Sequence, residues 1–313
     1  MSVSFVALLG PQRHQPIVRR VLDEQGLDGP LAVVTGGWEE REGELHELEV
    51  HVERPTVNLR LAQRLQSVLA IDEAFAQALV DRNDRLRTAQ RFYRRRLASL
   101  LESVRDLYAL PVPRSELLVA ERDDALRAVG ALDAHYLRQI RGIHEAFLDL
   151  WEPRSRPAVA ELREHIAAEV GDCEAVLIAG GHVGSLLDQV SLLDLRALFA
   201  AKPIVAWSAG AMLCCEHIVL FHDSPPQGPS DPELYDDGLG VAPGVVALPH
   251  ASLRLRLDDT LRVEMFARRF APRVCLALDA GCGARWDGSR WEPIGPLRCL
   301  AVDGRVAPVE AAW

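Results

Sequence analysis

Short apolar runs alternate with amphipathic stretches at the start of the chain and again in its second half. Residues 5–9 and 30–35 are apolar runs of strand length, and residues 15–25 between them carry apolar side chains at helical spacing. A strand, a helix and a strand in this order form a βαβ unit, for which parallel strands are the default. The alternation resumes in apolar runs at 174–179, 203–207, 244–249 and 273–278. The pattern predicts an α/β fold, a three-layer sandwich around a mostly parallel sheet.

Residues 55–152 have a different character. Apolar side chains recur three and four residues apart, as at Leu61, Leu65 and Val68, and β-branched runs are few. This spacing predicts two or three long helices, broken near Pro111-Val112-Pro113. We interpret the segment as a helical insertion that packs on itself, covers the edge of the active site or forms a homodimer.

The insertion divides one α/β domain into two stretches of sequence. Residues 1–54 begin the domain and residues 153–313 complete it. Arginines at positions 91 and 94–96 of the insertion either receive an anionic substrate or partner, or lie on a solvated helix face paired with acidic residues of the same segment. The second interpretation is the favoured one.

Two later segments depart from the alternation of strands and helices. Residues 224–240 are rich in Pro, Asp and Gly and predict a long loop, which shapes the substrate site or is only mobile. From residue 284 onward, short apolar runs alternate with the turns Asp287-Gly288 and Asp303-Gly304. This tail predicts antiparallel edge strands.

Charge and cysteine content narrow the class of protein. The 313 residues include 35 Lys+Arg against 45 Asp+Glu, for a net charge of −10. That acidity argues against nucleic acid or an anionic membrane as the main partner. Six cysteines without a CxxC pair are typical of free thiols in a reducing compartment. With no signal-peptide pattern at the N-terminus and no membrane-spanning run, the expected location is the cytoplasm.

The leading candidate nucleophile is Ser208. It follows the apolar run that ends in Trp207 and precedes Ala209-Gly210, small residues that a sharp strand-to-helix turn requires. A helix that starts there directs its free amides and positive dipole end at the serine hydroxyl, which favours an alkoxide or a nearby oxyanion. The alternative interpretation is a serine that only caps the helix.

Three other strand ends carry groups that serine catalysis needs. Gly180-Gly181 ends one predicted strand and offers backbone amides for an oxyanion. His250 and Asp279 end two others, as a base and an acid that holds the imidazole tautomer. His135 and His144 do not share a helical face, and no HExxH spacing occurs. The expected site therefore needs no metal and no organic cofactor.

These motifs together resemble the peptidase E and cyanophycinase family of serine peptidases, which share the fold of class I glutamine amidotransferase domains. The resemblance rests on Gly180-Gly181 with Leu186-Leu187, on the motif from Trp207 to Ala211, and on residues 237–245 leading to Pro249-His250. It implies a nucleophile at Ser208, a base at His250 and oxyanion amides from Gly181 and Ala209, with Gly180 and Trp207 beside the substrate. It implies an acid at either Asp223 or Asp279, and the strand-end position favours Asp279.

The resemblance covers residues 155–303 well and residues 1–50 weakly. It suggests aspartyl peptides as substrates, with Arg254 and Arg256 as candidate carboxylate ligands. Ala251-Ser252 stands where the family usually has Phe after the histidine, and Ala280-Gly281-Cys282-Gly283 replaces acidic or polar residues. The family's specificity therefore does not carry over.

The expected function is a serine-dependent hydrolase of peptide or isopeptide bonds that acts through an acyl-enzyme. Its partner is a peptide or small amide substrate. Three alternatives stay open: a non-catalytic binding or assembly protein, an esterase or amidase of a small metabolite, and a cysteine enzyme built on Cys214 or Cys282.

Overall fold

The computed structural model describes residues 5–111, 115–223 and 231–313. The strands in chain order are β1 (Val6–Leu9), β2 (Leu31–Val34), β3 (Thr56–Asn58), β4 (Ala175–Ile178), β5 (Ile204–Trp207), β6 (His217–Leu220), β7 (Glu233–Asp237), β8 (Val245–Pro249), β9 (Val274–Leu278), β10 (Gly283–Trp286), β11 (Trp291–Ile294), β12 (Arg298–Leu300) and β13 (Val306–Pro308). The α-helices are α1 (Val18–Gln25), α2 (His46–Val52), α3 (Leu61–Ile71), α4 (Glu73–Ala109), α5 (Glu116–Trp151), α6 (Pro157–Gly171), α7 (Val183–Leu192), α8 (Arg196–Ala200), α9 (Ala209–Cys214), α10 (Ala251–Arg254) and α11 (Thr260–Phe270).

Seven strands form the central sheet in the order β11-β10-β1-β5-β4-β2-β3. The five strands from β1 to β3 in this order are parallel, and β10 and β11 extend the sheet in antiparallel fashion. The register pairs Leu9 with Trp207 and Ile178 with Ala206, so the carboxyl ends of β1, β5 and β4 meet at one edge. The predicted α/β fold with a mostly parallel sheet is confirmed.

The two faces of the central sheet pack against different helices. Val6 and Leu8 of β1 belong to a core that includes side chains of α3, α6, α7 and α9. Ala7 and Leu9 belong to a second core with side chains of α1 and with Val52 at the end of α2. Because successive side chains of a strand point to opposite faces, the fully apolar strands support helices on both sides. The result is a three-layer sandwich.

Strands β8 and β9 lie outside the central sheet. They are parallel to each other in a second sheet of order β13-β12-β9-β8. The two sheets meet at Gly10, whose amide donates a hydrogen bond of 2.9 Å to the Cys282 carbonyl. A Cβ atom at this glycine would lie 1.8 Å from the carbonyl oxygen of Asp279. This close approach brings the carboxyl end of β9 beside the carboxyl end of β1.

The helical insertion is a long hairpin. Tyr93 of α4 stacks on Tyr136 of α5 with ring centroids 4.2 Å apart, and Phe75 stacks on Phe147 at 5.9 Å, which makes the two helices antiparallel. Its start differs from the predicted boundary at residue 55, because β3 pairs with β2 and still belongs to the central sheet. The predicted break falls partly on residues 112–114, which lie outside the described residues.

The insertion is tied to the α/β domain by ion pairs. Arg94 of α4 binds Glu233, and Arg141 of α5 binds Asp237, both in β7. Arg94 therefore pairs across the fold and not with an acid of its own helix, contrary to the favoured interpretation. Strand β7 lies inside the segment 224–240, which was predicted as a loop, and it pairs with β6. Residues 224–230 of that segment lie outside the described part.

Within the described ranges, every helix is too short or too polar to cross a lipid bilayer.

Candidate active site

Ser208 occupies a strained turn between β5 and α9. Its backbone angles are φ 51° and ψ −119°, a conformation that non-glycine residues rarely adopt. The turn is held from both sides, because the Ser208 amide donates to the Leu9 carbonyl at 3.1 Å and its carbonyl accepts from the Met212 amide at 3.2 Å. Strain of this kind persists at functional sites where the surrounding structure enforces it. It exposes the hydroxyl at the carboxyl edge of the central sheet.

Two glycines let this turn pack against the end of β4. A Cβ atom at Gly210 would lie 2.2 Å from the carbonyl oxygen of Ile178 and 2.8 Å from that of Ala179. A Cβ atom at Gly180 would lie 2.9 Å from the Cβ of Ser208. Backbone carbonyls cannot yield as flexible side chains do, and the Cβ of Ser208 is bonded directly to the backbone, so both positions require the absence of a side chain.

We expect Gly210→Ala to lower the free energy of unfolding by about 1–3 kcal/mol, because the new methyl group overpacks against the β4 carbonyls. Gly142→Ala is the matched control, since Gly142 lies in α5 with open space around it. That change should stabilise the protein by about 0.5–1 kcal/mol through helix propensity. Urea unfolding curves measure both, and a Gly210→Ala variant as stable as Gly142→Ala would contradict the expectation.

Backbone amides of Gly181 and Ala209 are available near the serine. Gly181 has φ 112°, and Ala209 is the first residue of α9. Within the described residues neither amide donates a hydrogen bond. Unpaired amides at a helix start and a glycine turn can accept a developing negative charge. The geometry suits an oxyanion hole.

His250 lies directly after β8 in a left-handed conformation with φ 57°. Its amide donates to the Leu278 carbonyl at 3.0 Å, which fixes it beside the end of β9. Burial lowers the pKa of the half-buried imidazole below its ordinary value; the Arg254 cation lowers it further and the Asp279 carboxylate opposes the shift. The imidazole is therefore neutral at pH 7 and able to accept a proton.

Asp279 is held near His250 by other partners. Its carboxylate accepts hydrogen bonds from the Ser252 amide at 3.0 Å, the Ser252 hydroxyl at 2.7 Å and Arg298 at 2.9 Å. Its charge acts on the pKa of His250, but the described residues include no hydrogen bond between the two side chains.

Asp223, the other candidate acid, is committed elsewhere. Its buried carboxylate binds the guanidinium of Arg262 and accepts from the Arg256 amide at 2.7 Å. Among the described contacts it forms none with His250. Of the two acids that the sequence offers, Asp279 is the one whose charge affects the base.

One cleft of about 1740 Å³ joins the candidate residues. It is lined by Gly180, Gly181, Trp207, Ser208, Ala209 and His250. Neither Asp223 nor Asp279 is among the residues that line it. The Ser208 hydroxyl and the His250 imidazole have no direct hydrogen bond in the described structure; such bonds often tighten only when substrate binds.

The solved structures that are similar to this chain include the following two. One is a peptidase from an acI-B1 Actinobacterium, with a TM-score of 0.48, 10% identity, and coverage of 99% of this chain and 96% of that chain. The other is a protein described as a candidate peptidase E from Listeria monocytogenes EGD-e, with a TM-score of 0.30, 14% identity, and coverage of 42% and 63%. No protein-family model matches the chain, and no curated protein is similar to it. The function therefore rests on the chemistry of the cleft.

The two thiols of the alternative cysteine mechanism, Cys214 and Cys282, are poor nucleophiles. Burial raises the pKa of the Cys282 thiol to about 11, and burial raises the pKa of the Cys214 thiol well above its ordinary value. Since the thiolate is the reactive form, neither group attacks a carbonyl readily at neutral pH.

Sequence reasoning missed several residues of the cleft wall. His182 follows the Gly-Gly motif and caps α7 by accepting the Ser185 amide through Nδ1 at 3.1 Å. Tyr235 comes from β7, and its hydroxyl lies against Gly184. Gln90 comes from α4. Of these three residues, only His182 had a local signal, its place in the motif. Arg94 of α4 also lines the cleft; the sequence had offered it as an anion ligand, although a solvated helix face was the favoured interpretation. The lining by α4 supports the interpretation in which the insertion covers the edge of the active site.

Proposed function

We propose that this protein is a serine-dependent hydrolase of peptide or isopeptide bonds. The observation that carries the proposal is the strained Ser208 turn, with φ 51° and ψ −119°, in the same cleft as the neutral imidazole of His250. A serine that only capped α9 would accept a hydrogen bond from a helix amide, and the Ser208 side chain accepts none. The strain therefore favours catalysis over capping.

In the proposed reaction, Ser208 Oγ attacks the carbonyl carbon while His250 takes its proton. The amides of Gly181 and Ala209 stabilise the oxyanion that forms. The C–N bond then breaks, and the imidazolium gives its proton to the leaving amine. Water attacks the acyl-enzyme and loses a proton to His250, which returns it to the Ser208 oxygen as the acid product leaves.

Arg254 is the proposed ligand of a substrate carboxylate beside His250. It lines the cleft and forms no ion pair within the described residues. Burial lowers the pKa of its guanidinium, as expected of a partly desolvated cation that lacks an anion. Arg256, the other arginine considered, is exposed and pairs with Asp259 at 4.0 Å outside the cleft. A carboxylate-bearing substrate would supply the anion that Arg254 lacks.

In Arg254→Gln, the acid limb of the pH profile of kcat/KM should move to higher pH. The Arg254 cation lowers the pKa of His250, so its removal raises that pKa and leaves more of the base protonated at a given pH. NMR titration of the His250 ring follows the same change without turnover. Arg256→Gln, which removes a cation outside the cleft, should leave both titrations in place. An acid limb that stays fixed or moves to lower pH in Arg254→Gln would refute this account.

A peptide-library digest tests the function. The wild type should cleave a subset of peptides, and Ser208→Ala should cleave none of them at a comparable rate. A fluorophosphonate probe should add covalently to the wild type at Ser208, as located by peptide mass spectrometry. Turnover of esters without any peptide would favour a metabolite esterase, and an unreactive Ser208 would favour a binding protein.

A further inference from the structure

The charge of the cleft is opposite to that of the chain. The chain carries a net charge of −10. The described cleft lining nevertheless contains more arginines than carboxylates: Arg13, Arg41, Arg60, Arg64, Arg94 and Arg254 against Glu44, Glu47 and Glu49. A concave basic surface on an acidic protein concentrates anionic ligands.

Three of these six arginines bind a carboxylate of the protein, and the other three do not. Arg41 pairs with Glu44, Arg64 with Glu169, and Arg94 with Glu233.

Arg13, Arg60 and Arg254 form neither an ion pair nor a side-chain hydrogen bond within the described part of the chain. The remaining residues, 1–4, 112–114 and 224–230, contain no Asp or Glu. Three guanidinium groups are therefore available to carboxylates of a ligand.

Arg60 is held in a strained conformation. Its backbone has φ 44° and ψ 50°, and its amide donates to the Asn58 side chain at 3.1 Å. Of the non-glycine residues with positive φ in the described chain, those that line the cleft are Arg60, Ser208 and His250. Strained residues concentrate at catalytic groups and ligand clamps. Arg60 thus shares a positive φ with the two candidate catalytic residues of the same cleft.

The sheet fixes how far Arg60 lies from the nucleophile. Ser208 follows β5 and Arg60 follows β3, three strands away at the same carboxyl edge. At about 4.8 Å between neighbouring strands, the separation along the edge is about 14 Å. An extended peptide spans that distance in about four residues. Arg13 follows β1 on the other side of β5, so unpaired cations flank Ser208 in both directions.

We infer that the cleft binds an acidic oligopeptide and not a dipeptide, with one carboxylate at Arg254 beside His250 and another at Arg60, about four residues from the bond that Ser208 attacks. The inference rests on the proposed function and specifies its substrate. The cleft volume of about 1740 Å³ exceeds the roughly 300–1,000 Å³ typical of sites for small ligands, which agrees with several bound residues.

Binding to Ser208→Ala tests the inference without turnover. The probe is a fluorescent nonapeptide with two Asp residues four positions apart in an Ala/Ser background, together with its single Asp→Asn analogues. We expect each Asp→Asn change to weaken binding about tenfold, as loss of a charge-assisted hydrogen bond does. Adding Arg60→Gln should weaken binding of the parent peptide by a similar factor, and Arg85→Gln, an exposed arginine outside the cleft, should not.

A double-mutant cycle gives the decisive result. In Arg60→Gln, one of the two Asp→Asn changes should lose its effect, because that carboxylate no longer has its partner. Arg254→Gln provides a second variant if Arg60→Gln unfolds, since it should cancel the effect of the other Asp→Asn change. Additive effects in the cycle, or equal affinity for the Asp and Asn peptides, would overturn the inference even if the wild type hydrolyses peptides. Conversely, charge-dependent binding by a wild type that cleaves nothing would refute only the proposed function.

Discussion

Replacing Ser208 by alanine is expected to lower kcat by about 10³-fold or more on any peptide that the wild type cleaves. The substitution removes the atom that forms the acyl-enzyme and leaves the amides of Gly181 and Ala209 in place. Because substrate contacts remain, KM should change much less than kcat. Steady-state kinetics on two peptides from the library digest measure both quantities.

Ser191→Ala is the matched control for this experiment. Ser191 is an exposed serine of α7, outside the residues that line the cleft. Its loss should leave kcat within about twofold of the wild type, as surface substitutions usually have small effects. Near-normal turnover in Ser208→Ala would remove the serine from the mechanism, whatever the control shows.

Asp133→Ala is expected to have the largest effect on stability, a loss of about 3–5 kcal/mol in the free energy of unfolding. Asp133 of α5 binds Arg269 of α11 through both oxygens, at 2.8 and 2.9 Å, and accepts the Tyr93 hydroxyl of α4 at 2.7 Å. The side chains of Arg269 and Asp133 are only 3% and 10% exposed. Without Asp133, a guanidinium stays buried with no carboxylate to balance it.

An exposed pair supplies the comparison. Asp124 and Arg127 also pair at 2.8 Å, but their side chains are 73% and 69% exposed. Asp124→Ala should therefore cost less than about 1 kcal/mol. Urea unfolding followed by circular dichroism measures both variants. Equal losses in the two variants would show that the buried cluster does not hold α4, α5 and α11 together.

The same cluster links the insertion to the cleft. Tyr93 also accepts from Arg269 at 2.8 Å and lies one residue from Arg94, which lines the cleft and binds Glu233. Loosening the hairpin would shift Gln90 and Arg94 at the cleft wall. The insertion is therefore a structural part of the cleft wall.

The sequence alone determined the features that depend on near neighbours in the chain. Apolar runs of strand length predicted β1, β2, β4 and β5, and the small residues after Ser208 predicted the sharp turn into α9. Helical spacing likewise predicted the long hairpin, because one buried stripe per helix is a local pattern. The same reasoning predicted that Ser208 and His250 lie at the ends of strands, and both residues line one cleft.

Only the tertiary structure decided the features that join distant segments. It placed β8 and β9 in a separate sheet, formed β7 within a predicted loop, and paired Asp223 with Arg262, 39 positions along the chain. It likewise paired Arg94 with Glu233, 139 positions away, and left Arg60 without a partner in the described chain. Periodicity records which side of an element is buried, but not which distant element covers it. The pairing of Asp223 with Arg262 and the basic character of the cleft arise from those long-range contacts.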